Sequence, residues 1–511
     1  MACDDFRHGP LAAPARPLRV WIATAPEQAD ACVHYHGEVG RMLSPRWRPA
    51  ATRQLAPREI PVTPTAFPAT TAVPPLATYP IAVPDARRLA ALQSNPLRKL
   101  ALYSGLALLF VELTVLPELA YHILGFNTYI LYFLAPPAIL LGLFTGSLQR
   151  TFRHRAPFYW MAFYGWMMLA TPFSYWPGGS FNRVVDGRVS VILLVVVGGL
   201  ATNWKEVRVV LYTFTAAALT NLLTARFFMD SSNGRISVSL AGFDIGNSND
   251  LAAHLLLVLP FVLFVALGRG RNPLIRFPLL ATIAYGMWII LGTASRGALV
   301  ALAVVFVVFM WLGSMRQRMV LLVAGSVIAA AMFAALPGAT LARLGALFGE
   351  QHEEAEESEA SRMYLFQKSL LYTVQHPLFG VGPDQFTNYE GGTAVAEGHV
   401  GNWHATHCSW TQVSSECGIP ALIFYVCGIG SALALVMRTF WSARQQGHAE
   451  ITNACFCYLL GMAGFLVAIT FLANAYRVYV PVMISLAVSM SFAASEELSA
   501  SSGADHPAAA G

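Results

Sequence analysis

From residue 101 to residue 494 the chain alternates long apolar stretches with short polar or glycine- and proline-containing breaks. A helix needs about 20 apolar residues to cross roughly 30 Å of hydrocarbon, and by that measure the pattern predicts about twelve crossings. The expected spans are 101–117, 128–147, 157–175, 188–203, 206–225, 250–268, 277–294, 297–313, 318–337, 418–437, 452–473 and 478–494. The fold class read from this is all-α: a polytopic membrane protein with about twelve transmembrane helices. The longest polar interruption, 338–417, is expected to be a large extracytoplasmic loop carrying short helices.

The flanks read differently. Residues 1–96 are rich in Pro and Ala, show no sustained periodicity and contain no apolar core of a secretory signal. They are expected to form a disordered cytoplasmic tail, residues 97–495 the membrane domain, and residues 496–511 a second disordered tail.

Composition narrows the class. Hydrophobic residues make up 56% of the chain and charged residues 12%, against about 25% charged in soluble domains. The basic residues then set an orientation. Arg150/Arg153/Arg155, Lys205/Arg208, Arg269/Arg271/Arg276, Arg316/Arg318 and Arg438/Arg444 fall in alternate connections, which predicts that those connections and both termini are cytoplasmic. Seven cysteines form no framework: Cys408 and Cys417, nine residues apart, would stand about 13 Å apart along a helix, too far to bridge.

The candidate chemistry lies at the opposite ends of the apolar runs. Arg296 sits in Thr293-Ala-Ser-Arg-Gly297, the whole connection between two apolar runs, where a planar five-donor guanidinium faces either lipid phosphate or a cavity. Arg362 follows the acidic run 353–359, expected to be a solvated loop, and begins an amphipathic segment. An arginine at a helix start opposes the macrodipole, which suggests another purpose for it. His404 and His407 stand three apart with Cys408 beside them; ligand spacing is incomplete for a metal, and an imidazole can instead serve as base or hydrogen-bond partner. Asn247, Asn249 and Asp250 open a helix and are ordinary capping residues, yet a helix start with Arg235 upstream also suits an anion. His254, one turn beyond Asp250, is expected to pair with it.

Gly-Asn-x-Asn at 246–249, Ser-Arg-Gly at 295–297, Ser-Arg at 361–362, His-Pro-Leu-Phe-Gly-Val-Gly at 376–382 and His407 followed by Gly-Ile-Pro at 418–420 together resemble the O-antigen ligase and polymerase superfamily of bacterial membrane glycosyltransferases. Cys408, after the histidine, stands where that family more often has Asn or Ser. The resemblance implies transfer of an oligosaccharide from an undecaprenyl-diphosphate carrier to lipid A-core or another glycan acceptor, at the periplasmic side of the inner membrane. It also implies that neither a cofactor nor a metal takes part, and nothing points to nucleic acid. Arg296 and Arg362 would hold the diphosphate and His407 would act on the acceptor hydroxyl, with Arg235, Asn247, Asn249 and His404 binding substrate. A polymerase on the same donor is the nearest alternative. A flippase or transporter would be expected to carry charges at mid-membrane and internal repeats, and the sequence displays neither.

Overall fold

A computed structural model describes residues 95–231, 234–238, 247–268, 270, 272–345, 353–401 and 403–504. Among these, helix dominates; the strands Met229–Asp230 (β1) and Ser237–Val238 (β2) pair antiparallel. Asn95 caps α1 (Pro96–Leu113), and α2 (Leu116–Leu124) turns from it by 71°. Next come α3 (Ile130–Phe144), α4 (Ser147–Thr151), α5 (Arg155–Ala170), α6 (Pro177–Asp186), α7 (Arg188–Leu200) and α8 (Trp204–Phe228). Past the strands lie α9 (Ser248–Ala266), α10 (Pro273–Gly292), α11 (Arg296–Leu312) and α12 (Met315–Val320), the last running through a π-helical turn into α13 (Ser326–Ala334). The remainder is α14 (Gly338–Gly345), α15 (Glu353–Gln375), α16 (Phe386–Ala396), α17 (Ser409–Gln445), α18 (Ala449–Ala468) and α19 (Tyr479–Ala504).

Each expected span contains a helix, but fewer helices qualify as crossings. Among the described residues seven are long and apolar enough, or eight if the bent pair α1 and α2 forms one span. The helices α3 and α11 are apolar but shorter, and α5 and α7 have 16 and 13 residues. An apolar run overstates its helix wherever the backbone turns before the apolar residues end. The expected span 157–175 shows this: Thr171-Pro-Phe173 tightens to a 3-10 turn, and Tyr175 and Trp176 leave the helix.

Three further expectations need correction. The acidic run 353–359 is not a loop but the start of α15, as suits Glu and Ala at a helix N-terminus. Arg362 is therefore well inside that helix, and the dipole argument made for it falls away. The interruption 338–417 contains a 23-residue helix and ends early, because residues 409–417 already belong to α17. At the C-terminus, α19 continues to Ala504 through the first part of the expected tail. The expected N-terminal tail lies outside the described residues except for Asn95 and Pro96.

The core lies among α9, α18, α19 and α7. Gly461 on α18 permits one of its closest approaches: a Cβ there would stand 2.6 Å from the carbonyl oxygen of Leu257. By contrast α12, the π turn and α13 bury no side chain. At the elbow between α1 and α2, Pro117 cannot donate to the carbonyl of Leu113, and Asn221 substitutes. Its Nδ2 donates to Leu113 at 2.8 Å while its Oδ1 accepts from the Val115 N–H at 3.1 Å. Both contacts fix the amide's orientation, so the same Nδ2 donates to Nε2 of His254 at 2.7 Å, and His254 Nδ1 meets the Tyr479 hydroxyl at 3.1 Å. The expected pairing of His254 with Asp250 is replaced by this chain.

Basic residues of the predicted cytoplasmic connections close helix C-termini. Arg276 donates to the carbonyls of Ala266 and Gly268, Arg318 to those of Gly313 and Trp311, and Arg444 to that of Leu312. A guanidinium there meets carbonyls that have no helical partner as well as the negative end of the helix dipole.

Candidate functional site

A break in α17 organises the region. Gly418 has φ 84° and ψ 173°, so the helix stops and restarts there. Pro420 has no N–H to give to the carbonyl of Glu416, and the N–H of Ile419 turns to Pro377 at 2.8 Å instead of to Ser415. The loop 376–382 fills the gap: Val381 donates to the Ser415 carbonyl at 2.8 Å and Gly382 to that of Glu416 at 2.9 Å. Glycine is required at this contact, since a Cβ on Gly418 would lie 2.1 Å from the Leu378 carbonyl oxygen and one on Gly380 2.3 Å from the backbone of Glu416. His-Pro-Leu-Phe-Gly-Val-Gly and Gly-Ile-Pro are thus two halves of one backbone interlock.

Asn249, Ser295, Gly297, Ala298, Arg362, Ala468, Phe471 and Leu472 line a small recess open to solvent. Three of the sequence fragments meet here: the start of α9, the start of α11 and α15. Arg235 is tied to the same place, donating from Nη2 to Asn249 Oδ1 at 2.7 Å and from Nε to the Thr293 carbonyl at 3.0 Å. Arg296 is the exposed first residue of α11, flanked by lining residues but not itself in the wall. Asn247 caps α9 by accepting from the N–H groups of Asn249 and Asp250, so its side-chain oxygen is engaged locally.

His407 is half-buried and precedes α17. Burial, followed by the charges of Arg362 and then His404, holds its imidazole below the usual histidine pKa. His404 is exposed. The backbone around the site is strained: Ala294, Asp384, Trp403 and His407 are non-glycine residues with φ between 45° and 61°. Such residues cost about 1–3 kcal/mol each and cluster where surrounding structure enforces a geometry. Among the described residues no three of His, Cys, Asp and Glu are grouped to hold a metal, and the five described cysteines are free.

The sequence reading missed the connection 472–478 and what it joins. Asn474 donates from Nδ2 to Asp250 at 2.8 Å and from its backbone N–H to the Ser409 hydroxyl oxygen at 2.9 Å, which links α9 to the start of α17. The Tyr476 hydroxyl donates to Glu416 at 2.6 Å, and the same carboxylate accepts from the N–H groups of Asp384 and Phe386. Arg183 lies over the Tyr476 ring at 5.2 Å and donates to its carbonyl. Burial raises the Asp384 carboxyl pKa, while Arg183 and Arg477 oppose the rise. Glu416, the lone charged residue between Ser409 and Met437 and two positions before Gly418, was the available clue.

No curated protein matches the chain. Residues 280–426 match the family model described as O-antigen ligase, a stretch that runs from within α10 into α17 and includes Arg296, Arg362, His404 and His407. The chain thus carries an O-antigen ligase domain over residues 280–426, among helices long and apolar enough to cross a membrane.

Proposed function

We propose that this protein transfers an oligo- or polysaccharide from an undecaprenyl-diphosphate carrier to lipid A-core or another glycan acceptor, at the outer face of the bacterial inner membrane. The supporting observation is the recess that joins Asn249, the start of α11 and Arg362, with His407 under the electrostatic influence of Arg362. Arg296 and Arg362 hold the diphosphate, and Arg235 fixes Asn249 at the recess wall. In the reaction the bond between the anomeric carbon and the diphosphate oxygen breaks, and that carbon bonds to the acceptor oxygen. The acceptor's proton passes to His407, whose imidazole is kept neutral, and undecaprenyl diphosphate leaves. Guanidinium groups fixed beside the leaving diphosphate stabilise its developing charge, so no metal is assigned a role. Asn247 supports the helix start, and His404 contacts substrate at the rim.

Ligase-type transfer is the reading adopted, and a gel of surface polysaccharide from a deletion strain tests it. Loss of a ligase leaves long polymer on the carrier and bare core at the surface. Core capped with a single repeat would instead assign the protein to polymerisation.

A further inference from the structure

The Trp403 ring and the Tyr175 hydroxyl rest on adjacent glycines of α16. A Cβ on Gly391 would lie 2.4 to 2.6 Å from Cδ2, Cε2 and Cε3 of Trp403, so the indole lies flat over a bare Cα. A Cβ on Gly392 would lie 2.8 Å from the hydroxyl of Tyr175, whose ring meets Tyr389 edge-to-face at 5.4 Å. Both rings nevertheless remain open, Trp403 at 51% and Tyr175 at 57% exposure. The positive φ of Trp403, 48°, shows that its surroundings hold it in place against its backbone preference. Asn388 precedes the two glycines by three and four residues and so shares their face of the helix. Its amide is oriented by donating to Gln385 at 2.9 Å.

Seated rings with open faces beside a planar amide suit a sugar. A pyranose presents C–H groups to the negative face of an aromatic ring and hydroxyls to an amide. Lipid chains would make no use of the amide. Aromatic belts at a bilayer surface flank apolar helices, whereas Trp403 lies in Val400-Gly-Asn-Trp-His-Ala-Thr-His407 and packs on a helix containing Thr387, Asn388, Glu390 and Thr393. We propose that Trp403, Tyr175 and Asn388 form a glycan-binding shelf, one residue from His404 and four from His407, that seats a sugar ring of the substrate chain. That the ligand is a glycan rests on the function proposed above.

The test is calorimetric titration of the detergent-solubilised full chain with the repeat-unit oligosaccharide released by mild acid from the host's own surface polysaccharide. This probe has no lipid and no diphosphate, so its binding is separable from the donor site: Arg296→Lys should bind it as the unaltered protein does, whatever that variant does to transfer. Saturable binding is expected, weakened about tenfold by Trp403→Ala or Tyr175→Ala and largely kept in Trp403→Phe. Gly391→Ala displaces the indole and should reproduce Trp403→Ala, whereas Gly430→Ala, at an open position on α17, should not. Should Trp403→Ala fail to fold, Trp403→Leu supplies apolar volume without the ring and is expected to bind as weakly. Absence of saturable binding, or unchanged affinity in both ring variants, overturns the proposal. So does unchanged glycan affinity with reduced partition into phospholipid vesicles, which would make the rings interfacial anchors.

Discussion

Gly382 donates its backbone N–H at 2.9 Å to the carbonyl of Glu416, the group that Pro420 deprives of a helical partner. The loop 376–382 and the broken helix α17 therefore complete each other's hydrogen bonding. Gly418→Ala must force a side chain into φ 84° and against the Leu378 carbonyl. We expect it to cost about 1–3 kcal/mol from backbone strain alone, and to lower both membrane abundance and the melting temperature in detergent. A variant that melts like the unaltered protein would show that the interlock yields without cost.

Arg296→Lys and Arg362→Lys keep the charge but lose the planar fork that meets two phosphate oxygens at once. Removing one preorganised donor to a developing anion typically costs about 2.7–4 kcal/mol at the transition state. Each variant should therefore lose most transfer activity at unchanged membrane level. Near-normal turnover would make the two residues interfacial anchors.

His407 accepts a proton only when neutral, and its lowered pKa keeps it neutral below the ordinary histidine value of about 6.5. Activity should thus fall only as pH drops through that lowered value. Arg362→Gln removes one of the charges that depress it, so the acid limb should move to higher pH even as the rate declines. The pH profiles of the two proteins decide this, and an unmoved limb would separate Arg362 from His407.

The basic residues that close the C-termini of α9 and α11 also predict sidedness. Cysteine placed at Ala355 in a cysteine-free background should react with an impermeant maleimide in cells whose inner membrane is intact. Labelling only after that membrane is permeabilised would reverse the orientation.

The helices were legible because an apolar run long enough to cross a bilayer leaves few alternatives. Their ends were less so, since the 3-10 turn at Thr171 and the break at Gly418 arise from packing and pairing that apolar content does not encode. Asn249 was visible as a polar residue at the rim of an apolar run and Arg362 as the start of an amphipathic segment, and the recess brings them together. Glu416, Tyr476 and Asn474 were not singled out, because each acts through partners dozens or hundreds of residues away: Asn474 reaches Asp250, and Tyr476 reaches Glu416. The same holds for Asn221, whose part depends on a proline-made gap in another helix.

The proposed glycan transfer from a diphosphate carrier depends on arginines that stabilise the leaving group and on His407 taking the proton. Purified protein in liposomes, given an undecaprenyl-diphosphate glycan and acceptor in excess chelator, measures it most directly. The unaltered protein and Cys408→Ser should release undecaprenyl diphosphate and extend the acceptor, while His407→Ala should be nearly inactive. Transfer that appears only after a divalent metal is added, or a His407→Ala variant working at the unaltered rate, would contradict it.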